Sequence, residues 1–266
     1  MSLSRRTLLA LATAGVTFAS AGVALAQQTT LRVGVTPGPH AQIMEVVKTL
    51  AAGKGLDIKI SEFSDYVVPN QALDSGELDA NSFQHLPYLD NQIKDRGYKL
   101  VPVAQTVNFP LGVYSKKVKS WNDVANGASI AIPNDPTNGG RALLLFQDKG
   151  ILTLKPNVGY KPTVFDIVTN PKGLKIIEID AAQAPRALDD VAAAAINTNY
   201  ATQAGLDAVK DPILREDAKG PYVNIIAVRA VDKDKPWVKT LVETYQSPDV
   251  KAFIEKQFKG AVLTAW

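Results

Sequence analysis

Cysteine is absent from the 266-residue chain, which excludes disulfides, thiolate nucleophiles and cysteine-ligated metals at once. Histidine is nearly as scarce. His40 and His85 are the two copies, neither stands in an HExxH arrangement, and no metal site is expected. Neither a GxGxxG turn nor a GxxxxGK loop followed by Ser or Thr occurs, so no nucleotide and no other cofactor is expected. There is no GxSxG motif, and Glu62, Asp65 and His85 do not assemble into a nucleophile, base and orienting group, so the chain does not read as an enzyme. Blocks of one charge sign are missing too: 29 Lys and Arg are interspersed with 26 Asp and Glu for a net charge of +3, a pattern that argues against nucleic acid as a partner.

One apolar run is present, at the start. Arg5 and Arg6 precede an uncharged stretch that ends in Ala24-Leu25-Ala26 before Gln27, the layout of a cleaved export signal over residues 1–26. The paired arginines resemble a twin-arginine signal, and a general secretory signal fits as well. No equally long apolar run follows, so a retained membrane span is not expected. Because the residue after the small-residue site is Gln27 and not cysteine, the expectation is a periplasmic protein without a lipid anchor. Some 46% of the chain is apolar, enough to build a core and to argue against disorder.

Strand and helix periods alternate through the remainder. Residues 31–36 read as a strand, a Pro-Gly-Pro turn follows, and the apolar residues after it recur at helical spacing. A strand at 57–63, short helices around residues 67–79 and 85–97 and an extended run from Lys99 to Tyr114 complete a first α/β unit. A second unit holds strands at 129–134, 175–179 and 191–197 with helices between them. A strand at 223–229 and two helices that open beside Pro236 and Pro248 close the chain. This order predicts an α/β protein of two lobes with helix-covered, mainly parallel sheets joined by extended crossings. Residues 27–110 are expected in the first lobe, 111–225 in the second, and 226–266 back in the first.

Ligands of such sheets sit at the carboxyl ends of strands, which here carry Thr36-Pro37-Gly38, Pro133-Asn134-Asp135-Pro136 and Asn197-Thr198-Asn199-Tyr200. In IPNDPTNGGRALLL (132–145) a strand end, a polar turn and a helix N-terminus succeed one another. Arg141 there could take a carboxylate in a bidentate contact, beside Asn134, Asn138 and free helix N–H groups. A capped helix with its arginine in solvent fits the same letters. ANSFQHLPYLDN (80–91) interleaves Phe83, His85 and Tyr88 with amides, and with Tyr66 these rings could wall an apolar pocket or simply pack a core. Asn197, Asn199 and Asn224 offer both donor and acceptor to a zwitterion, or cap turns.

Several of these blocks, in order, resemble the methionine-binding periplasmic substrate-binding proteins known as NlpA-like lipoproteins. The blocks are VGVTPGPHAQIME (33–45), DYVVPNQALDSGELDANSFQHLPYLD (65–90), IAIPNDPTNGGRAL (130–143), AAQAPRALDDV (181–191), INTNYA (196–201) and YVNIIAVR (222–229). The resemblance implies an interlobe cleft that closes over L-methionine or a close analogue, and an ABC importer permease as partner. It implies Arg141 as carboxylate ligand with Asn138 nearby. Asn197 and Asn224 would then meet the amino-acid backbone groups, with Asn199 as a substitute for Asn197, and Tyr66, Phe83, His85 and Tyr88 would enclose the thioether. Another apolar amino acid or a short methionine-containing peptide would share these groups. Many members carry a lipidated cysteine after their signal, whereas this chain has none, so a freely diffusing monomer is expected.

Overall fold

The computed structural model describes residues 28–218 and 220–266; the expected signal lies outside the described residues. The chain opens with β1 (Thr29–Val35), α1 (Pro39–Ala52), β2 (Leu56–Glu62), α2 (Val68–Asp74), β3 (Ala80–His85), α3 (Leu86–Arg96) and β4 (Leu100–Asn108). Past Phe109 it builds β5 (Gly112–Tyr114), β6 (Ser129–Pro133), α4 (Pro136–Asp148), β7 (Thr153–Leu154), β8 (Ile167–Thr169), β9 (Lys175–Ile179), α5 (Ala184–Ala187), β10 (Ala193–Ile196), α6 (Thr198–Gln203) and β11 (Leu214–Arg215). It returns through β12 (Val223–Arg229), α7 (Pro236–Tyr245), α8 (Pro248–Phe258) and β13 (Leu263–Thr264).

Alternation decides which face of each strand meets which helices, since successive side chains point to opposite sides of a sheet. In β12, Ile226 and Val228 join the core under α1, α7 and α8, while Ile225 and Ala227 join the core beside α2 and α3. In β10, Ala193 and Ala195 pack on the α4 side, and Ala194 and Ile196 on the side of α5 and α6. Both sheets are thus covered on both faces, which is why inner strands such as β6 and β10 read as continuous apolar runs.

Strand order is β13-β4-β12-β3-β1-β2 in the first lobe and β11-β5-β10-β6-β9 in the second, with β7 and β8 as a separate hairpin. Parallel pairs join β1 to β2 and β3, and β6 to β9 and β10, as the βα alternation predicts. The strands beside the crossings pair antiparallel: β12 with β3 and β4, β5 with β10 and β11. The chain leaves the first sheet at the carboxyl end of β4 and re-enters it from the second lobe at the amino end of β12. A strand that re-enters from the end where its predecessor left must run the opposite way. The sheets are therefore mixed, and β12 lies in the first sheet from Val223 onward, so the expected division at 225/226 falls inside one strand.

This topology points the carboxyl ends of β1, β3, β4, β6 and β10 at the space between the lobes. The strand β3 is not apparent from periodicity, because all six of its residues are buried although three carry amide or hydroxyl groups. The two amides are satisfied against α2: the Asn70 and Gln84 amides exchange hydrogen bonds at 2.7 and 2.8 Å, and Asn81 donates to Asn70 at 2.9 Å.

Candidate functional site

Between the lobes, a cavity with about 360 Å³ not filled by atoms is lined by Tyr66, Phe83, His85, Tyr88, Asn138, Arg141, Asn197 and Asn224, together with His40, Gln84, Phe109, Thr198 and Asn199. These first eight are the residues that the resemblance implies as ligand contacts, and they are brought to one place.

The first lobe supplies rings. Phe83 sits on β3, Tyr88 in the first turn of α3 and Tyr66 just before α2, and their centroids lie 6.0–6.2 Å from one another in tilted and edge-on pairs. The Tyr88 hydroxyl donates to the Tyr66 carbonyl at 2.9 Å, which locks two walls together. His85 does a different job from that of an apolar wall. As N-cap of α3 its Nδ1 accepts the Tyr88 N–H at 3.1 Å, so the ring proton resides on Nε2 and faces the Asn138 carbonyl oxygen at 3.2 Å. Burial, with Arg141 nearby, pulls the His85 pKa down to about 3, so the ring stays neutral and this tautomer persists.

The second lobe supplies polar groups. Asp135 caps α4, accepting the Thr137 and Asn138 N–H groups at 3.2 and 2.9 Å. It also takes the Asn138 side-chain amide at 2.9–3.1 Å. With its NH2 turned to Asp135, Asn138 aims its oxygen across the cleft at His85 and toward Asn197, whose amide donates at 2.8 Å. Two glycines let this turn approach its surroundings: a Cβ on Gly139 would lie 2.6 Å from the Pro133 carbonyl oxygen, and one on Gly140 would lie 2.9 Å from the backbone at residues 160 and 161. Asn197 occupies the N-cap position of α6 but makes no capping bond with its side chain. Its Oδ1 is buried without a protein partner, as is Nδ2 of Asn199. The other end of Asn199 accepts the Tyr66 hydroxyl across the lobes at 2.6 Å. Asn224 stands beside His85 in the register of β12 against β3, its amide 3.4 Å from the Tyr222 carbonyl.

Arg141 is buried, at 2% exposure, and not in solvent as a merely capped helix would have it. Its bidentate edge is already engaged: Nε donates to Glu216 Oε1 at 2.9 Å and Nη2 to Glu216 Oε2. Nη2 also donates to the Phe109 carbonyl at 2.8 Å, and the guanidinium carbon lies 4.2 Å from the centroid of the Tyr222 ring. Nη1 takes no part in these bonds.

Five lining residues go beyond the eight. Asn199 stands among the sequence candidates as a substitute for Asn197, and the strand-end rule points at its neighbour Thr198. His40 and Phe109 follow the carboxyl ends of β1 and β4 and stack at a centroid distance of 4.8 Å; the same rule reaches them once β4 is known to end at Asn108. Gln84 carries no such signal. Asn134, at the end of β6, is not among the lining residues. Among the described residues, no group of three or more His, Asp or Glu side chains could hold a metal ion.

The sequence profile of the NlpA lipoprotein family matches residues 31–266. The D-methionine-binding lipoprotein MetQ of Escherichia coli (strain K12) is 51% identical over 239 residues, covering 89% of this chain and 88% of the relative. A probable D-methionine-binding lipoprotein MetQ of Vibrio cholerae is 45% identical over the full length of both. A nutrient binding protein from Burkholderia cenocepacia, solved bound to methionine, superposes with a TM-score of 0.87 at 55% identity and covers 89% of this chain and 100% of its own. These relatives correct the expectation of a protein without a lipid anchor: they are named as lipoproteins, which carry lipid at the membrane. That expectation rests on the absence of cysteine from the chain, with Gln27, outside the described residues, after the small-residue site. With residues 31–266 matched by the family profile and 89% of the chain matched in fold, the chain belongs to the NlpA lipoprotein family.

Proposed function

We propose that this protein is the solute-binding component of an ABC importer, that it holds methionine between its two lobes, and that it presents the solute to a membrane permease. The observation that carries the reading is the division of the cavity. One end is a cluster of rings with no charge, and the other holds a buried acceptor, Asn197 Oδ1, a buried donor, Asn199 Nδ2, and a cationic edge, Arg141 Nη1. Buried polar atoms without partners cost about 1–3 kcal/mol each, and a zwitterionic head group supplies both kinds of partner.

In this reading Arg141 meets the carboxylate, Asn197 and Asn224 accept from the ammonium, and Asn138 fixes Asn197 and His85 in place. Tyr66, Phe83 and Tyr88 surround the thioether, where sulfur–aromatic contact adds about 0.3–1.5 kcal/mol to the hydrophobic transfer. The relatives named for methionine binding support the substrate, and their being named for binding a solute supports capture without turnover. The first-lobe segments, up to Phe109 and from Val223 onward, would move as one body against the segment between them. A ligand that touches both favours the closed arrangement through its additional closed-state contacts.

Mass spectrometry of small molecules released from the denatured protein, with calorimetric titration of the refolded protein by both enantiomers of methionine, tests the proposal. Recovery of methionine and saturable heat are expected. A different released solute with no methionine heat would keep the importer class and overturn the substrate.

A further inference from the structure

The groups that orient the Arg141 guanidinium come from outside its own helix. Phe109 contributes a carbonyl from the first crossing between the lobes, while Glu216 and Tyr222 come from the second. Glu216 is itself fastened to the first crossing, its carboxylate accepting the Leu111 N–H at 3.1 Å and its own N–H donating to the Leu111 carbonyl at 2.9 Å. Three hydrogen bonds consume Nε and both hydrogens of Nη2, so the two hydrogens of Nη1 are what the guanidinium can still offer. Glu216 does not line the ligand cavity. It approaches Arg141 from the outer side, where Tyr160, Asp217 and Tyr222 also lie.

We propose that Glu216 is a positioning residue that sets the charge selectivity of the site, an inference that rests on the binding reading above. By taking the bidentate edge of Arg141, the Glu216 carboxylate turns Nη1 toward the ligand and cancels the net charge of the anchor. A second carboxylate, Asp135, reaches the pocket through the Asn138 amide, and both nearby imidazoles, His40 and His85, are held neutral by burial. The wall around the head group therefore carries no surplus of positive charge. A ligand with a carboxylate alone would bring an uncompensated anion into this surrounding, whereas a zwitterion brings none. An unpaired Arg141 would welcome both.

The test compares calorimetric affinities for methionine and for its desamino analogue, the same thioether acid with hydrogen in place of the ammonium. The protein is taken in three forms: unaltered, Glu216→Gln and Glu216→Asp. The unaltered protein is expected to prefer methionine strongly. Glu216→Gln keeps the shape and loses the charge, and is expected to narrow the preference by about tenfold or more, the size of one charged contact. Glu216→Asp keeps the charge on a shorter arm, so affinity for both ligands falls while their ratio stays within about threefold of the unaltered value. An unchanged ratio in Glu216→Gln overturns the inference, and so does an equal shift of the ratio in both variants, which would mean packing alone. Should Glu216→Gln not fold, a shifted ratio in Glu216→Asp overturns it by itself. Failure of the unaltered protein to bind methionine strikes the functional reading instead.

Discussion

The two lobes meet the same cavity with different chemistry. The first brings Phe83, Tyr88, Tyr66, His40, His85 and Phe109, most of whose rings pack on one another, and adds the amides Gln84 and Asn224; the second brings no ring to the cavity, only Asn138, Arg141, Asn197, Thr198 and Asn199. The difference teaches how recognition divides. The lobe of rings reads how apolar a side chain is, and the lobe of amides, joined by Asn224 from the first lobe, reads the head group common to all amino acids. Neither half encloses a ligand alone, so affinity requires both halves together.

Arg141→Ala should break this division most severely. It removes the cationic edge and strands Glu216, and it is expected to cost about 2–5 kcal/mol of methionine binding, roughly 30- to 5,000-fold by calorimetry. Unchanged affinity would remove Arg141 from the head-group site.

The histidines expose a second asymmetry, because both belong to the first lobe. Burial lowers the pKa of each to about 3, below the roughly 6.5 of an unfolded chain. Between those values the unfolded state binds more protons than the folded one, so stability falls as pH falls from about 6.5 toward 3, by up to about 1.4 kcal/mol per pH unit for each ring. Denaturant titrations between pH 6 and pH 4 should show this slope, reduced by about half in His85→Gln. A variant with the full slope would show that His85 is not held neutral.

Smaller effects sharpen the comparison. Phe83→Ala should weaken methionine by about 1.5–3 kcal/mol and leave alanine nearly untouched. Asn197→Ala should weaken both ligands alike, by about 1.5–3 kcal/mol. If the two variants gave the same ratio of methionine to alanine affinity, the lobes would not divide recognition in this way. Tyr66→Phe removes the 2.6 Å bond to Asn199 across the cleft and should cost only about 0.5–1.5 kcal/mol of affinity. A small shift toward the open form in solution scattering should accompany it.

Much of this was legible before any fold was known. Apolar runs locate β1, β6, β10 and β12, and the polar strand ends that follow them locate Arg141 and most of the asparagines, because a buried strand must end where its backbone can turn. The strand β3 escapes the same reading: its buried Asn81 and Gln84 satisfy each other and Asn70, so polarity that ordinarily marks solvent marks an interior network. Glu216 escapes for another reason. It lies 75 residues from Arg141, and nothing local in REDAKG at 215–220 distinguishes a carboxylate that pairs a buried arginine from one in water.

Residue type and order settle the class of fold, the polar and aromatic inventory and the strand ends at which a ligand can sit, since these follow from burial period and backbone chemistry within a few residues. The facing of Arg141 toward Glu216, the tautomer of His85 and the pairing of ring lobe with amide lobe depend on distances between segments far apart in the chain. Only packing of the two sheets around their crossings sets those distances.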